Sequence, residues 1–228
     1  PGTGEHPGDQ QAWVTVATTR PETYLGDTAV AISQHDPRAA ALRGLLVQLP
    51  IIGRVIPIIE DTSGYVVLPK AYARSDEERD DPKAEFATGF LKVTPAHDNN
   101  DYQLGQLYAE QIKANSAGEV MINILSPEGR LIHQHGWSDI GDARRFVGLK
   151  AMQTHDGIRQ PAEARKAVVE ALKGHPIGSD AYPVLEKVRP YRQTLKFSDR
   201  SKALIEPYLS DQWFCKVTDD RMAGAANR

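Results

Sequence analysis

The amino-acid sequence predicts a mixed α/β fold, in which a mixed sheet or a barrel is flanked by peripheral helices. Short β-branched and apolar segments of strand length alternate with segments whose apolar residues recur at helical spacing. The 228 residues include 40% hydrophobic and 25% charged side chains at a net charge of −3. This balance is typical of a globular protein and excludes disordered and collagen-like chains.

The predicted strands are short, and each is bounded by proline, glycine or polar turn residues. The first is rich in β-branched residues and ends before Pro21, because a proline favours extended backbone at the preceding residue, here Arg20. The parallel or antiparallel order of the strands is left open by the sequence. The predicted ranges are 13–19, 27–33, 45–49, 54–59, 89–94 and 121–125.

The predicted helices begin and end at capping residues. Asp36 and Pro37 suit the N-cap and the first position of the first helix, and Gly44 suits its end. Pro161 and Gly174 mark the start and the end of the last helix in the same way. The predicted helical ranges are 36–43, 99–112 and 162–173.

The chain is predicted to form one domain with a return segment. The stretch 75–83 carries five acids against two bases, so we interpret it as part of a solvated loop. The chain starts at Pro1 and is expected to be an excised fragment. The predicted units are a disordered or end segment at 1–11, a core at 12–150 containing the loop 61–86, a helical and basic return segment at 151–214, and a frayed end at 215–228.

Two classes of protein are excluded by simple counts. No apolar run approaches the roughly 20 residues that a membrane-spanning helix needs. Cys215 is the only cysteine, so neither an internal disulfide nor a thiolate zinc site can form. We therefore expect an intracellular, cytoplasmic protein without a membrane partner.

Polar side chains are concentrated where the first predicted strand ends. Thr18, Thr19, Arg20, Glu22 and Thr23 lie within seven residues, and polar groups at strand ends commonly line binding sites. The guanidinium could bind a phosphate or a carboxylate, and a threonine could bind a substrate oxygen. The alternative is an ordinary turn, in which the threonines bond local backbone and Arg20 pairs with Glu22.

A second concentration follows the strand at 89–94. Lys92 and Thr94 lie on one face of that strand because side chains alternate along it. Asp98 and Asp101 are three residues apart at a helix start, so together they could hold an ammonium group. The alternatives are an N-cap role for Asp98 and, more weakly supported, a metal site made of His97, Asp98 and Asp101.

A third feature is the basic stretch from Lys187 to Lys202. Its net charge is +5, which leaves −8 for the rest of the chain. Tyr191 and Phe197 interleave with the basic residues, as in sites that contact phosphates and unpaired bases. The alternative is a solvated basic hairpin. The candidate nucleic-acid-binding residues are Arg189, Arg192, Lys196 and Arg200.

Two motifs of the chain carry a family resemblance. The segments ATTRPETYLGDTAVA (17–31) and GFLKVTPAHDNNDYQLG (89–105) closely resemble the editing domain, or connective polypeptide, inserted in valyl-tRNA synthetases. INILSPEGR (122–130), 148–172 and IEPYLSDQWF (205–214) extend the resemblance over nearly the whole chain. The related isoleucyl and leucyl domains are disfavoured, since the first has tryptophan after the proline and the second has aspartate in place of Glu22.

The resemblance implies a β-barrel-like editing domain of a class I aminoacyl-tRNA synthetase, a ligase of translation. Its activity would be post-transfer hydrolysis of the aminoacyl ester of threonyl-tRNA(Val). HIGH-type and KMSKS-type motifs are absent, so no aminoacylation by this chain is expected. No cofactor or metal is expected at the editing site, whereas ATP and Mg²⁺ serve the synthetic site of the parent enzyme. The expected partners are the acceptor end of tRNA(Val) and the rest of the synthetase.

The same resemblance implies roles for residues of the second motif. Asp98 and Lys92 are the expected catalytic residues, and they would bracket the threonine hydroxyl. Asp101 would hold the threonine amine together with Asp98, while Thr94 would line the pocket. No Ser-His or Cys-His pair accompanies these residues, so direct attack by a positioned water is favoured over an acyl-enzyme.

Residues of the first motif are expected to bind the tRNA end. Arg20 and Thr23 would contact the terminal adenosine or the ester, with Thr18 and Thr19 beside them, and Phe86 would form a wall of the pocket. Two other function classes remain open at this point, a non-catalytic tRNA-docking module and a metal-dependent hydrolase.

Overall fold

The fold is mixed α/β, as predicted. The computed structural model describes residues 3–5, 12–115, 118–133, 141–151, 153–155, 158–160, 163–177, 182–192, 194–202, 204–219 and 221. Most of the predicted unit 1–11 and the end of the predicted unit 215–228 lie outside these residues. In the part of the chain that is described, no helix has the length and apolar character that crossing a membrane requires.

The strands are short, as predicted. Five of the ten strands in the described residues begin within two residues of a predicted strand, and the other five have no predicted counterpart. Their ranges are β1 Thr3–Glu5, β2 Ala12–Val14, β3 Ala29–Ser33, β4 Leu46–Gln48, β5 Val55–Asp61, β6 Phe90–Val93, β7 Gln153–His155, β8 Ile158–Gln160, β9 Pro176–Ile177 and β10 Tyr182–Pro183.

The helices include five α-helices and four single-turn or longer 3₁₀ segments among the described residues. The α-helices are α1 Ala39–Leu42, α2 Asp76–Asp80, α3 Asn99–Leu107, α4 Ala109–Asn115 and α5 Glu163–Gly174. The 3₁₀ segments are Pro21–Gly26, Lys70–Tyr72, Pro82–Glu85 and Gly141–Phe146.

A four-stranded mixed sheet with the order β4-β5-β3-β6 forms the centre. β3 pairs in parallel with β5 and antiparallel with β6, and β4 pairs antiparallel with β5. Within the described residues β4 and β6 are the two edges, so the sheet is open and the expected barrel-like closure is wrong. The physical reason is size, because four strands of three to seven residues are too few to close around an interior.

The central sheet buries side chains on both faces. Val30 and Ile32 of β3 belong to one apolar cluster, which also contains Ala164 and Val168 of α5. The alternate residues of β3 face a second cluster, which contains Leu104 of α3 and Ile112 of α4. This alternation is the period-2 geometry of a strand. Helices α3 and α4 therefore lie on one side of the sheet, and the cluster that includes the α5 residues lies on the other.

The first predicted strand is shorter than expected. It ends at Val14 rather than Thr19, and the Oγ1 atom of Thr18 accepts a hydrogen bond from the backbone amide of Arg20 at 3.0 Å. Such local side-chain bonding competes with strand pairing. At the other end, Thr3–Glu5 pairs with Ala12–Val14 as a strand, inside the unit expected to be disordered or a chain end.

Two further elements differ from prediction for local reasons. The acidic stretch contains the helix α2, because Ser75 caps it by accepting from the amide of Glu78 and three acids favour its first turn. The predicted helix 99–112 is divided at Tyr108, whose backbone leaves the helical region at φ −108° and ψ 21°. The hydroxyl of Tyr108 there accepts the amide of Thr62 at 3.0 Å.

The remaining differences concern weakly bounded elements. The helix predicted at 36–43 is reduced to the single turn α1. The carboxylate of Asp36 accepts the amide of Arg38, as an N-cap does, but the backbone of Arg43 is already extended, at φ −59° and ψ 126°. The strand predicted at 121–125 is extended chain with one isolated bridge, between Leu125 and Leu131.

Candidate functional site

The two motifs singled out in the sequence meet at one end of the central sheet. Because β3 and β6 are antiparallel, the start of β3 lies beside the end of β6, and Ala29 pairs with Val93. The amide of Thr28 extends this pairing with a 3.0 Å hydrogen bond to the carbonyl of Val93. One Nη atom of Arg20 donates to the carbonyl of His97 at 2.9 Å. Residues from both motifs thus share one site.

Three buried polar side chains form the centre of this site. Lys92 and Thr94 extend from the same face of β6, as predicted, and their ammonium and hydroxyl groups are hydrogen-bonded to each other. Both also bind Oδ1 of Asp27, the ammonium at 3.3 Å and the hydroxyl as a donor. Their exposed fractions are 2% for Asp27, 8% for Lys92 and 1% for Thr94. We call these three residues the buried polar cluster.

The backbone around Asp27 is held by a second buried cation. Arg54 follows a turn before β5, and its Nη1 atom donates to the carbonyls of Leu25 and Asp27 at 2.9 and 3.1 Å. Burial raises the pKa of the Asp27 carboxyl to about 6, although Lys92, Thr94 and Arg54 act in the opposite direction. The carboxyl is therefore ionised at neutral pH only because cations and donors surround it.

Asp101 is buried beneath the same strand end. Its Oδ2 atom accepts the backbone amide of Thr94 at 2.8 Å, which connects the first turn of α3 to the end of β6. The pKa of Asp101 is raised to about 7, chiefly by burial and also by the neighbouring Asp98 and Asp27 charges, against Lys92, which lowers it. One oxygen of this carboxyl is thus engaged by the protein itself.

Asp98 is exposed and caps α3. Its Oδ1 atom accepts the amides of Asn100 at 2.9 Å and Asp101 at 3.2 Å, so the N-cap alternative describes its local role. Because only Oδ1 accepts these two amides, Oδ2 of this exposed carboxylate stays available to solvent or to a ligand. The proposed joint binding of an ammonium group by Asp98 and Asp101 remains a prediction.

Arg20 is in contact with three parts of the chain. Besides His97, its guanidinium binds Glu206 with an Nη2 to Oε2 distance of 2.6 Å, and its Nε atom lies 3.9 Å from Glu22. The guanidinium is only partly exposed. The return segment therefore places a carboxylate at the cation that is predicted to bind the tRNA end.

The three candidate threonines lie in different environments. Thr18 and Thr19 are exposed, whereas Thr23 is buried and donates from its hydroxyl to the carbonyl of Arg20 at 3.0 Å. Together with the bond from the Arg20 amide to Thr18, this contact matches the turn alternative. Substrate binding by these threonines remains a prediction.

His97 is a buried, neutral side chain. Its Nε2 atom accepts the amide of Ile124 at 3.0 Å, and burial, reinforced by the charges of Arg20 and Lys92, lowers its pKa to about 3. Over the described ranges, no three His, Cys, Asp or Glu side chains form a group that could hold a metal ion. His97, Asp98 and Asp101 instead each bind a different backbone amide.

The basic stretch contacts the predicted pocket wall through an aromatic pair. The rings of Phe86 and Tyr191 meet edge to face, with centroids 5.3 Å apart and planes at 84°. Further along, Phe197 and Leu204 form an isolated antiparallel bridge, as in a hairpin. The four candidate tRNA-binding side chains are all exposed: Arg189, Arg192, Lys196 and Arg200.

Sequence reasoning missed three charged residues of the site. The sequence predicts Asp27 and Arg54 only as the first residues of strands, and Arg165 only as part of the helix 162–173. Arg165 binds both carboxylate oxygens of Glu22 at 2.9 and 3.0 Å. The available signal was an acid or a base placed directly beside an apolar run, as Asp27 and Arg54 are.

Comparison with known proteins gives a consistent result. No protein-family model matches the chain. Valine–tRNA ligases of Protochlamydia amoebophila and Synechocystis are each 38% identical over 209 residues, or 92% of this chain. The valine–tRNA ligase of Chromobacterium violaceum is 37% identical over 205 residues, or 89% of the chain. The chain is related to a segment of valine–tRNA ligases.

The match is to one segment of these valine–tRNA ligases. The chain spans 16%, 17% and 18% of the lengths of the three relatives, respectively. It is therefore related to a domain-sized portion of an aminoacyl-tRNA synthetase. The aligned portion includes the strand ends at which the buried polar cluster and the exposed Asp98 lie, since at most a tenth or so of the chain is left outside it.

Proposed function

We propose that this chain is the editing domain of a valine–tRNA ligase and that it hydrolyses the ester of threonyl-tRNA(Val). One observation carries the proposal: the two motifs that resemble the editing domain meet at one sheet end and combine a cation, hydroxyls and an exposed carboxylate. Lys92, Thr94 and Asp98 provide these groups. The similarity to valine–tRNA ligases supports the same conclusion.

The amino acid is selected by its hydroxyl in this proposal. A synthetic site shaped for valine is known to reject threonine by only about 100-fold, since the two are nearly isosteric. A second site that offers hydrogen bonds to the hydroxyl reverses the selection. Valine would leave Lys92 or Asp98 unpaired there, at a cost of roughly 1–3 kcal/mol.

Hydrolysis follows by direct attack of water on the ester carbonyl. The water oxygen forms a bond to the carbonyl carbon, the bond to the ribose oxygen breaks, and that oxygen takes up a proton. Asp98 is the residue suited to orient the water or the substrate amine, because it is exposed and its Oδ1 atom is fixed by the helix cap. Arg20 and Thr23 bind the terminal nucleotide, and Phe86 closes one side.

The partners and setting follow from the reaction. The acceptor end of tRNA(Val) enters beside Phe86 and Tyr191, and the exposed basic residues of the return segment contact its phosphates. The rest of the synthetase holds the body of the tRNA, and its separate synthetic site uses ATP and Mg²⁺. The proposed editing step needs no cofactor and takes place in the cytoplasm.

The test is hydrolysis of preformed threonyl-tRNA(Val) and valyl-tRNA(Val), with and without a chelator. We expect the unmodified chain to hydrolyse the threonyl ester selectively and without dependence on metal. Asp98→Ala should abolish this activity. Asp98→Asn is the matched control for folding, because asparagine caps a helix as well as aspartate does, so lost activity in both variants identifies the charge. Unchanged hydrolysis by Asp98→Asn would contradict the role of Asp98.

A second candidate is a tRNA-docking module without catalytic activity. The observation that favours it is the exposure of the basic side chains Arg189, Arg192, Lys196 and Arg200. This candidate predicts tRNA binding that weakens steeply with salt and no ester hydrolysis. Binding without hydrolysis in the assay above would therefore favour docking.

A further inference from the structure

Asp27 is a buried carboxylate with no role in the proposed reaction. It lies two residues before β3, and its Oδ1 atom accepts from both Lys92 and Thr94. A buried ion pair is weak evidence of stabilisation, since apolar residues of similar volume are often equally stable. A charged cluster at the strand ends that carry the candidate site therefore calls for a functional explanation.

We propose that Asp27 is a positioning residue, which fixes the Lys92 ammonium and the Thr94 hydroxyl in the orientation that substrate selection requires. This inference rests on the proposed editing function. Asp27 itself does not contact the substrate. It acts through the two side chains that do.

The hydrogen bonds within the buried polar cluster determine which donor remains for a substrate. A lysine ammonium has three N–H donors, and here Asp27 and Thr94 accept two of them. The hydroxyl hydrogen of Thr94 is committed to Asp27. One N–H of Lys92 is left for a substrate oxygen, and its direction is set by the other two bonds.

Positioning is needed because neither partner is rigid alone. A lysine carries its charge on a flexible four-carbon chain, and a threonine hydroxyl hydrogen rotates to suit its partners. The backbone at Asp27 is fixed in contrast, because Nη1 of Arg54 donates hydrogen bonds to the carbonyl of Asp27 at 3.1 Å and to that of Leu25 at 2.9 Å. Arg54 therefore holds the backbone of Asp27 in place, and the Asp27 carboxylate in turn holds the Lys92 amine.

The titratable groups around Asp27 come from four parts of the chain. Lys92 and Arg54 favour its ionised form, while burial and the nearby Asp101 oppose it. Burial raises the pKa of Tyr24 in the preceding 3₁₀ segment, and the charge of Asp27 contributes to the same shift. At neutral pH the two cations keep Asp27 able to accept from both neighbours.

The first experiment compares Asp27→Asn with a matched control, Asp36→Asn. Asp36 is also buried and pairs with a cation, Arg38, but lies outside the site. We expect Asp27→Asn to lower kcat for threonyl-tRNA(Val) by about tenfold or more, with a smaller change in KM. Its preference for the threonyl over the valyl ester should also fall, whereas Asp36→Asn should alter neither property.

Asp27→Glu distinguishes positioning from charge alone. It keeps the carboxylate but moves it by one methylene, so a positioning role predicts that kcat is not restored. Full activity in either Asp27→Glu or Asp27→Asn would overturn the inference. Thermal unfolding of each variant reports separately whether it folds.

A second experiment does not depend on activity. The rate at which acetic anhydride modifies the Lys92 amine in the native protein, measured by mass spectrometry, should rise several-fold in Asp27→Asn. The exposed Lys83 is the internal control. An unchanged Lys92 rate would overturn the inference even if the unmodified chain edits.

The two experiments separate the inference from the proposed function. If the unmodified chain hydrolyses neither ester, the editing proposal is overturned. Faster modification of Lys92 in Asp27→Asn would then still show that Asp27 holds this amine. An unchanged rate in an inactive chain would overturn both.

Discussion

Arg165 of α5 binds Glu22 through two parallel hydrogen bonds, from Nε at 2.9 Å and from Nη2 at 3.0 Å. The carboxylate of Glu22 is fully buried, and the guanidinium of Arg165 is mostly so. The two residues are 143 positions apart in the chain. This ion pair therefore connects the return segment to the turn that carries Arg20 and Thr23.

Arg165→Ala should destabilise the protein by about 3 kcal/mol, because the buried Glu22 carboxylate loses both short contacts. Chemical denaturation measures this change. The control is Lys173→Ala on the same helix, whose exposed pair with Glu170 contributes little, with an expected change below about 0.5 kcal/mol. Equal effects of the two substitutions would contradict the assigned role of the pair.

His97 should make the protein sensitive to acid. Burial lowers its pKa in the folded state to about 3. As the pH falls below 6.5, the imidazole is therefore protonated in the unfolded state but stays neutral in the folded state. The contribution of the neutral imidazole to the free energy of unfolding is therefore complete above pH 6.5 and is lost as the pH falls toward 3. His97→Gln keeps an acceptor for the Ile124 amide but does not titrate. The free energy of unfolding of the native protein should fall relative to His97→Gln between pH 6.5 and 4.

Asp101 should have the opposite pH dependence. Burial raises its folded pKa to about 7, above the ordinary value near 4 of the unfolded chain. The folded state is therefore favoured by protonation, and this contribution is lost as the pH rises from 4 through 7. Asp101→Asn keeps an acceptor for the Thr94 amide without the charge. We expect its stability, relative to the native protein, to be greater at pH 8 than at pH 5.

Gly105 allows α3 to approach Pro95 closely. A Cβ atom at this position would lie 2.8 Å from the Cβ and Cγ atoms of Pro95. Although alanine favours a helix over glycine, Gly105→Ala should destabilise the protein by about 1–3 kcal/mol through overpacking. Gly174→Ala in α5 is the control, since nothing lies within 4 Å of its added Cβ. Its thermal midpoint should not decrease.

Local patterns predicted the site residues that belong to single elements. The alternation of β6 correctly placed Lys92 and Thr94 on one face, and the helix start at Asp98 was anticipated because an N-cap depends only on neighbouring residues. The mixed fold class followed from similar patterns. The sequence does not predict which strands form the edges of the sheet, because the strand order depends on pairing between segments that are distant in the chain.

Contacts between distant segments account for what was missed. Asp27 binds a residue 65 positions away, and no local pattern indicates that partner. The division of the predicted helix at Tyr108 has the same origin, since its hydroxyl contacts Thr62 after β5. In contrast, the helix α2 does have local signals, the cap Ser75 and the acids that follow it, but the high charge and the lack of an apolar period in this stretch are equally typical of a solvated loop.

The distance between Asp27 and Lys92 also constrains the order of folding during synthesis. A ribosome adds about 5–20 residues per second, so Lys92 is made several seconds after Asp27. Until then, docking β3 into the core would bury a carboxylate without its cation, which is costly. The nascent chain should therefore keep the start of β3 hydrated, and the central sheet should close only when β6 has emerged.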